Sequence, residues 1–427
     1  MFERPAARFA ALRLDRRVYL LGSAGLVRNL GRSATFVFLP LVFADVYHLS
    51  YIDIGLLIAS IVPVSTLSFL AGGQLSDRIG RRPFAIFPSF GSVVLLLLLW
   101  RYLDQGLLWV MLLWGANSLL GGLTRPAQSA MIGDVTTPNL AVTAFGVQRV
   151  FTNTGFALSP ALGGFLADAQ GLPVLFLFAA ITSLAEGLLL LAFLKETYPG
   201  SRGTDRRTFG DFAQPFRDRP FVLLLIVLVG LAVVMNQFGT PLALYLGSVK
   251  GISFTEFGFV YAINGVLVVF LQLPISRLIE RRHRYFASMA VGTIAYGAAF
   301  LLFDAANAFP LYLGAMAVLT VGEDIVSPTQ QTLVSQWAHT ERRGRYFGAF
   351  NAATNGARVV APVVGTLLLG LGPAGPSILW IGMLGVAAAV AIGFLALRAA
   401  ARHRVKRAPS TGVGLEPPAP ILSGKEE

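Results

Sequence analysis

Phe221-Val-Leu-Leu-Leu-Ile-Val-Leu-Val-Gly230 is a run with no charged or hydroxyl side chain, and mostly apolar sequence continues to Leu246. It shows no alternation with period two, which a membrane β-strand would need. It is also longer than the roughly 20 apolar residues that carry a helix across a bilayer. In lipid only helices and closed barrels satisfy every backbone group, so a run of this kind reads as a membrane helix. Val93 to Trp100 is continuously apolar in the same way.

Working outward, twelve such runs, spans 1 to 12, lie at 18–43, 53–75, 83–102, 107–132, 143–167, 174–194, 221–246, 255–278, 286–303, 310–335, 345–370 and 377–397. The 427 residues are 55% hydrophobic and 13% charged, against about 25% charged in a soluble domain. Mean hydropathy is +0.67, too high for a solvated surface. The fold class read from this is an all-α polytopic membrane protein in contact with the lipid bilayer. The 45 glycines suit helices that pack closely in lipid.

There is no cysteine, which excludes disulfides, thiolate metal sites and cysteine nucleophiles. His48, His283, His339 and His403 lie at helix ends or in loops, so no metal cluster or His-based catalytic site is expected. No Gly-Lys-Ser/Thr phosphate loop is present. An enzyme, a primary pump and a cofactor are therefore not expected. The net charge of +12 follows the loops and does not imply a nucleic-acid partner.

Basic residues collect in cytoplasmic loops. Arg4, Arg8, Arg13, Arg16 and Arg17 open the chain, and Arg78, Arg81 and Arg82 follow span 2. Arg281, Arg282 and Arg284 follow span 8, and Arg342, Arg343 and Arg345 follow span 10. The alternate turns hold little beyond Arg101 and Lys250. Both termini are therefore expected in the cytoplasm of a cell that carries the protein in its plasma or inner membrane. Five segments follow: a basic N-terminus at 1–17, six spans at 18–194, a cytoplasmic linker at 195–219, six spans at 220–397 and a disordered tail at 398–427. Residues 2–17 read either as a short surface helix or as a frayed end.

The two sets of six spans are repeats. Ser50-Tyr-Ile-Asp53-Ile-Gly55 matches Ser253-Phe-Thr-Glu256-Phe-Gly258. At a constant offset of 202, Pro126 matches Pro328, Gln128 matches Gln330, Asn153 matches Asn355, Pro160 matches Pro362 and Gly163 matches Gly365. Six spans per repeat with a common start implies parallel repeats about the membrane normal.

The turn after span 2 reads Gly73-Gln-Leu-Ser-Asp77-Arg78-Ile-Gly80-Arg81-Arg82-Pro83. It resembles the signature of the major facilitator superfamily, and Ser276-Arg-Leu-Ile-Glu280-Arg281-Arg282 echoes it in the second half. The resemblance implies a twelve-helix transporter, monomeric by default, that works by alternating access. It also implies a conformational latch. Asp77 would bind the start of span 11, and an Arg of the motif would pair with an acid below span 4, where Asp134 stands. Gly73 is expected where a neighbouring helix approaches. The plainer reading is that these charges only anchor topology.

Span 5 contains Gly155-Phe-Ala-Leu-Ser159-Pro160-Ala-Leu-Gly163-Gly164, which resembles the antiporter motif of drug–proton exchangers, with Ser159 replacing a glycine. A packing kink common to any facilitator is the alternative. The buried span-4 Arg usual in those exchangers is missing: Trp114 stands there, and Arg125 lies nearer the end of the span.

Ionisable residues inside the membrane are costly and usually functional. Arg28 and Arg32 lie one turn apart in span 1, Glu323 and Asp324 in span 10, Arg358 in span 11, Arg149 in span 5 and Glu186 in span 6. The repeat gives Arg28, Arg32, Glu323, Asp324, Arg358 and Arg149 no charged counterpart. By the resemblance, spans 1, 4, 7 and 10 line a central cavity, which would hold Arg28, Arg32 and one of Glu323 and Asp324. A span-10 acid is the expected proton site, and an ion pair of that acid with Arg28 or Arg358 is the alternative. Arg358 and Arg149 are further candidates for the coupling site or substrate cavity, with snorkelling the plainer reading of Arg149, and Glu186 reads as peripheral. The expected partners are a small-molecule substrate and protons. The function read from this is a proton-coupled exporter of small amphiphilic or drug-like molecules. A proton-coupled importer or uniporter of a nutrient or organic anion is the alternative.

Overall fold

The computed structural model describes residues 14–137, 140–197, 214–337 and 343–407. The expected surface helix at the N-terminus, most of the linker and the tail beyond Arg407 lie outside the described residues. Among these residues there are twelve long helices and no strand. In chain order they are α1 (Arg16–Asp45), α2 (Tyr51–Ile79), α3 (Arg81–Arg101), α4 (Leu107–Asp134), α5 (Ala141–Gln170) and α6 (Val174–Phe193). The second set is α7 (Arg219–Asn236), α8 (Phe254–Arg282), α9 (Tyr285–Ala305), α10 (Phe309–Trp337), α11 (Arg343–Leu369) and α12 (Gly375–Arg407). Each apolar run except the seventh falls on one helix, in order. The last helix runs ten residues past the end expected at 397.

Eleven of these helices are long and apolar enough to cross a membrane, α7 together with its continuation. The exception is α5, which carries Gln148, Arg149, Thr152, Asn153, Thr154 and Ser159. Its threonine and serine hydroxyls have acceptors. Thr152 Oγ1 donates to Gln148 O at 3.1 Å and Thr154 Oγ1 to Val150 O at 2.9 Å. Ser159 Oγ donates to Leu30 O of α1 at 2.5 Å. A buried hydroxyl with an acceptor costs far less than an orphaned one.

The seventh span is interrupted, where the sequence suggested one continuous run. α7 ends at Asn236, Thr240–Leu244 resumes the helix, and Tyr245–Val249 is a π turn. Pro241 explains the break, because its ring collides with the carbonyl four residues earlier, on Gln237. That carbonyl instead accepts from Leu242 N at 3.0 Å. Neighbours fasten the break: Tyr261 Oη donates to Phe238 O at 2.7 Å, and Gln237 Nε2 to Ala361 O at 3.1 Å.

The chain divides into two compact units. One comprises Met1–Leu39, Ile61–Thr204 and Ser253–Gly258. Its core brings together Val18 and Leu21 of α1, Ile86 of α3, Met131 and Ile132 of α4, Val147 of α5 and Leu190 of α6. The other comprises Pro40–Ser60, Asp205–Ile252 and Phe259–Glu427. Its core joins Leu224 and Leu228 of α7, Met289 of α9, Val326 of α10, Phe350 of α11 and Phe394 of α12. Lipid tails are as apolar as these side chains, so close backbone approach and polar contacts hold such helices together. Gly72 of α2 illustrates it: a Cβ there would sit 2.7 Å from Leu123 Cα of α4.

Candidate transport site and conformational elements

The signature turn is one residue long. α2 ends at Ile79, α3 begins at Arg81, and Gly80 between them has φ 118° and ψ 149°, a conformation essentially confined to glycine. This sharp turn brings Arg81 back over the end of α4. Its guanidinium pairs with Asp134, lies 3.1 Å from Asp77 Oδ1 and donates to Ala130 O at 3.2 Å. Asp134 also accepts from Thr197 Oγ1 at 2.9 Å. Arg82 turns to the segment after α6, donating through Nε to Leu194 O at 2.7 Å and through its backbone N–H to Glu196 Oε2 at 3.0 Å. Arg78 is exposed. Glu196 was not singled out from sequence, although it stands three residues beyond the end of α6, in reach of the same turn.

One expectation is corrected. Gly73 is not at a close approach, since a Cβ there would have its nearest neighbour, Pro126 Cβ, at 3.8 Å. The tight position is Gly72. Successive residues differ by about 100° around a helix, and it is Gly72 that faces α4.

The small residues of α5 lie against α1. A Cβ on Gly155 would sit 2.5 Å from Leu26 O, and one on Gly163 would sit 2.9 Å from Ala34 Cβ. Ser159, in the place of a motif glycine, is fully buried and uses its hydroxyl on Leu30 O. Pro160 lies within the helix. Gly164 and the Pro160 carbonyl meet the first turn of α8 at Phe254 and Gly258. Asp168 then caps that turn, accepting from Phe254 N at 3.1 Å and Thr255 N at 2.7 Å. Asp168 was missed because a carboxylate near a helix end has no distinguishing local pattern.

The membrane-embedded charges separate into two groups. In the first unit, Arg28 Nη1 lies 3.2 Å from Glu186 Oε1 and donates to Gln128 Oε1 at 2.8 Å. Glu186 is 1% exposed, so its reading as a peripheral residue is overturned. The ion pair that Arg28 makes within this unit is with Glu186 of α6. Arg32 is exposed, one turn along α1. Arg149 is exposed on α5.

In the second unit, Glu323 is half-buried, and its Oε2 accepts from Asn264 Nδ2 at 2.9 Å. The same Nδ2 lies 3.0 Å from Thr320 Oγ1. Asp324 is fully buried, and its backbone carbonyl accepts from Gln272 Nε2 at 3.0 Å. The two acids thus point in different directions, as adjacent helical residues must. Arg358 is exposed on α11. No group of three or more His, Asp or Glu that could hold a metal ion occurs among the described residues.

Comparison with known proteins agrees with this architecture. The chain is 27% identical over 364 residues to a Na(+), Li(+), K(+)/H(+) antiporter of Planococcus maritimus, covering 77% of this chain and 84% of that protein. It is 28% identical over 316 residues to the class G tetracycline resistance protein of Vibrio anguillarum, covering 69% and 75%. A crystal structure of the peptide transporter POT in complex with sulfate superposes with a TM-score of 0.73 at 14% identity, over 90% of this chain and 94% of that one, a likeness of fold. The family description Major Facilitator Superfamily matches residues 21–335 and 251–425. A multi-pass helical chain with this signature turn, matched along nearly its whole length, belongs to the Major Facilitator Superfamily of membrane transporters.

Proposed function

We propose that this transporter is a proton-coupled exporter of small amphiphilic or drug-like molecules, working by alternating access as a monomer in a plasma or inner membrane, with both termini cytoplasmic. The observation that carries the proposal is the α10 pair: Glu323, half-buried and held by Asn264, beside the fully buried Asp324. A carboxylate retained inside a membrane helix is costly unless it works. Glu323 keeps partial exposure and accepts from the neutral amide of Asn264, an arrangement open to protonation and to competition from a substrate. The names of the two relatives, an ion–proton antiporter and a tetracycline resistance protein, support export and exchange. So do the small residues of α5, which let it lie against α1 and the start of α8.

Alternating access needs contacts that form in one state and break in the other. We assign that role to Asp77, Arg81 and Asp134, with Gly80 setting the turn and Arg78 and Arg82 flanking it. Two carboxylates sharing one guanidinium make a bistable contact, because either can keep Arg81 when the other leaves.

The test is transport in proteoliposomes under an imposed pH gradient, with tetracycline and ethidium as probes. Wild type should move a probe against proton flow. Glu323→Gln and Asp324→Asn should each be tried, and at least one should abolish gradient-driven transport. Full gradient-driven transport in both single variants would refute the α10 assignment. A second reading, import of an organic anion, is favoured by Arg32 and Arg358, exposed charges on membrane helices. Proton movement in the same direction as the substrate would select it.

A further inference from the structure

Glu186 has no place in the mechanism proposed above, yet four helices converge on it. From α1, Arg28 Nη1 lies 3.2 Å from its Oε1. From α4, Gln128 Nε2 donates to the same oxygen at 3.0 Å. From α3, Ser89 Oγ lies 3.3 Å from Oε2. The fourth helix is its own, α6. Among the described residues, Arg32 of α1 is the other charge that acts on Glu186, and α3 and α4 present the neutral partners Ser89 and Gln128.

The geometry differs from that of an ion pair built for rigidity. Arg28 does not grip the carboxylate with two parallel bonds, as a strong Arg–carboxylate pair does. A single nitrogen, Nη1, is shared between Glu186 and Gln128, and the bond to Gln128 is the shorter at 2.8 Å. Arg28 Nε is buried with no hydrogen-bond partner among the described residues. The guanidinium can therefore leave Glu186 and stay on Gln128.

The partners also suit both forms of the acid. Ionised, Glu186 accepts from Arg28, Gln128 and Ser89. Protonated at Oε2, it can donate to Ser89 Oγ, because a hydroxyl both donates and accepts and turns to suit. Oε1 then keeps Gln128 Nε2. Neither form strands a buried polar atom of the acid. Access is from the Arg28 side: Arg28 keeps 15% exposure, and the exposed Arg32 must face protein or water rather than hydrocarbon.

We infer that Glu186 is a proton-binding site within the first unit, separate from the α10 acids. A proton from water binds Oε2, the contact of Oε1 with Arg28 Nη1 opens, and the still-charged guanidinium stays on Gln128 Oε1. Loss of the proton to water restores the pair. The consequence for coupling rests on the proton-coupled reading above, whereas proton binding itself does not.

The experiment needs no substrate. Infrared difference spectra between acidic and alkaline pH are recorded on the full chain in lipid, following the carbonyl stretch of a protonated carboxylic acid. Glu186→Gln should remove one component of that band, and Glu323→Gln a different one. If Glu186→Gln does not yield folded protein, the double variant Arg28→Gln/Glu186→Gln removes both buried charges together and should show the same loss. A spectrum of the Glu186 variant, single or double, that superposes on wild type overturns this inference. If Glu323→Gln still loses its own component in that case, the α10 reading survives. Loss in the Glu186 variant alone would support the site proposed here and count against proton binding at Glu323.

Discussion

Gly72 and Gly73 are neighbours whose substitutions should differ sharply. A methyl at position 72 would press on the α4 backbone, which cannot step aside as a flexible side chain can. Gly72→Ala should therefore lower the thermal midpoint of the purified protein, with a cost of about 1–3 kcal/mol typical of overpacking. Gly73→Ala meets only ordinary contact and should fall within about 0.5 kcal/mol of wild type. Gly80→Ala imposes a backbone conformation that side chains avoid, at about 1–3 kcal/mol, and crowds Glu196 Oε2 at 3.1 Å. If Gly73→Ala proved the more damaging of the first pair, the orientation of α2 described above would be wrong. The signature was legible in sequence, but which of its glycines touches a neighbour was not, because that depends on rotation about the helix axis. The same limit hid the partner of Arg28. Glu186 stands 158 residues away, and no local spacing links the two.

At the scale of helices, the internal repeat was informative in a way single residues were not. Gly55 and Gly258 were matched by sequence, and each lies against the carbonyl of a matched proline, Pro362 and Pro160 respectively. Capping follows the same pattern. Ser50 Oγ accepts from Asp53 N at 3.3 Å, and Ser253 Oγ accepts from Glu256 N at 3.2 Å, both at helix starts. What the repeat could not show is where its copies diverge. Asp168 caps α8, while the position 202 residues on is Gly370, which has no side chain to do so. Asp168→Ala should remove the cap and lower stability by about 0.5–2 kcal/mol, read as a fall in thermal midpoint. Asp168→Asn keeps a side-chain oxygen acceptor and should lose less. Equal losses would mean that the charge, rather than the hydrogen bonds, matters at that helix start. The break in α7 was likewise unread, because Pro241 sits within a run whose apolar character continues across it.

For the whole chain, the remaining question is which ends of the helices face the cytoplasm, and charge is the argument. Arg78 lies in the last turn of α2, Arg81 and Arg82 open α3, and Arg281 and Arg282 close α8, whereas the turns after α3 and α9 carry Asp104 and Asn307 without a basic cluster. Translocating a cluster of arginines is opposed during insertion, so the basic ends should stay inside. The absence of cysteine makes this directly testable, because any single introduced thiol is the only one in the protein. Cysteine at 104, 307 or 372, all exposed in the structure, should react with a membrane-impermeant maleimide added to intact cells. Cysteine at 78 or 282 should react only when inverted vesicles present the other face. Twelve crossings require 104, 307 and 372 to behave alike, because each follows an odd number of helices. A site among these three that labels only from the cytoplasmic side would remove a crossing from the count. It would break the alternation of the turns and take away the parallel relation of the halves on which the exchange mechanism depends.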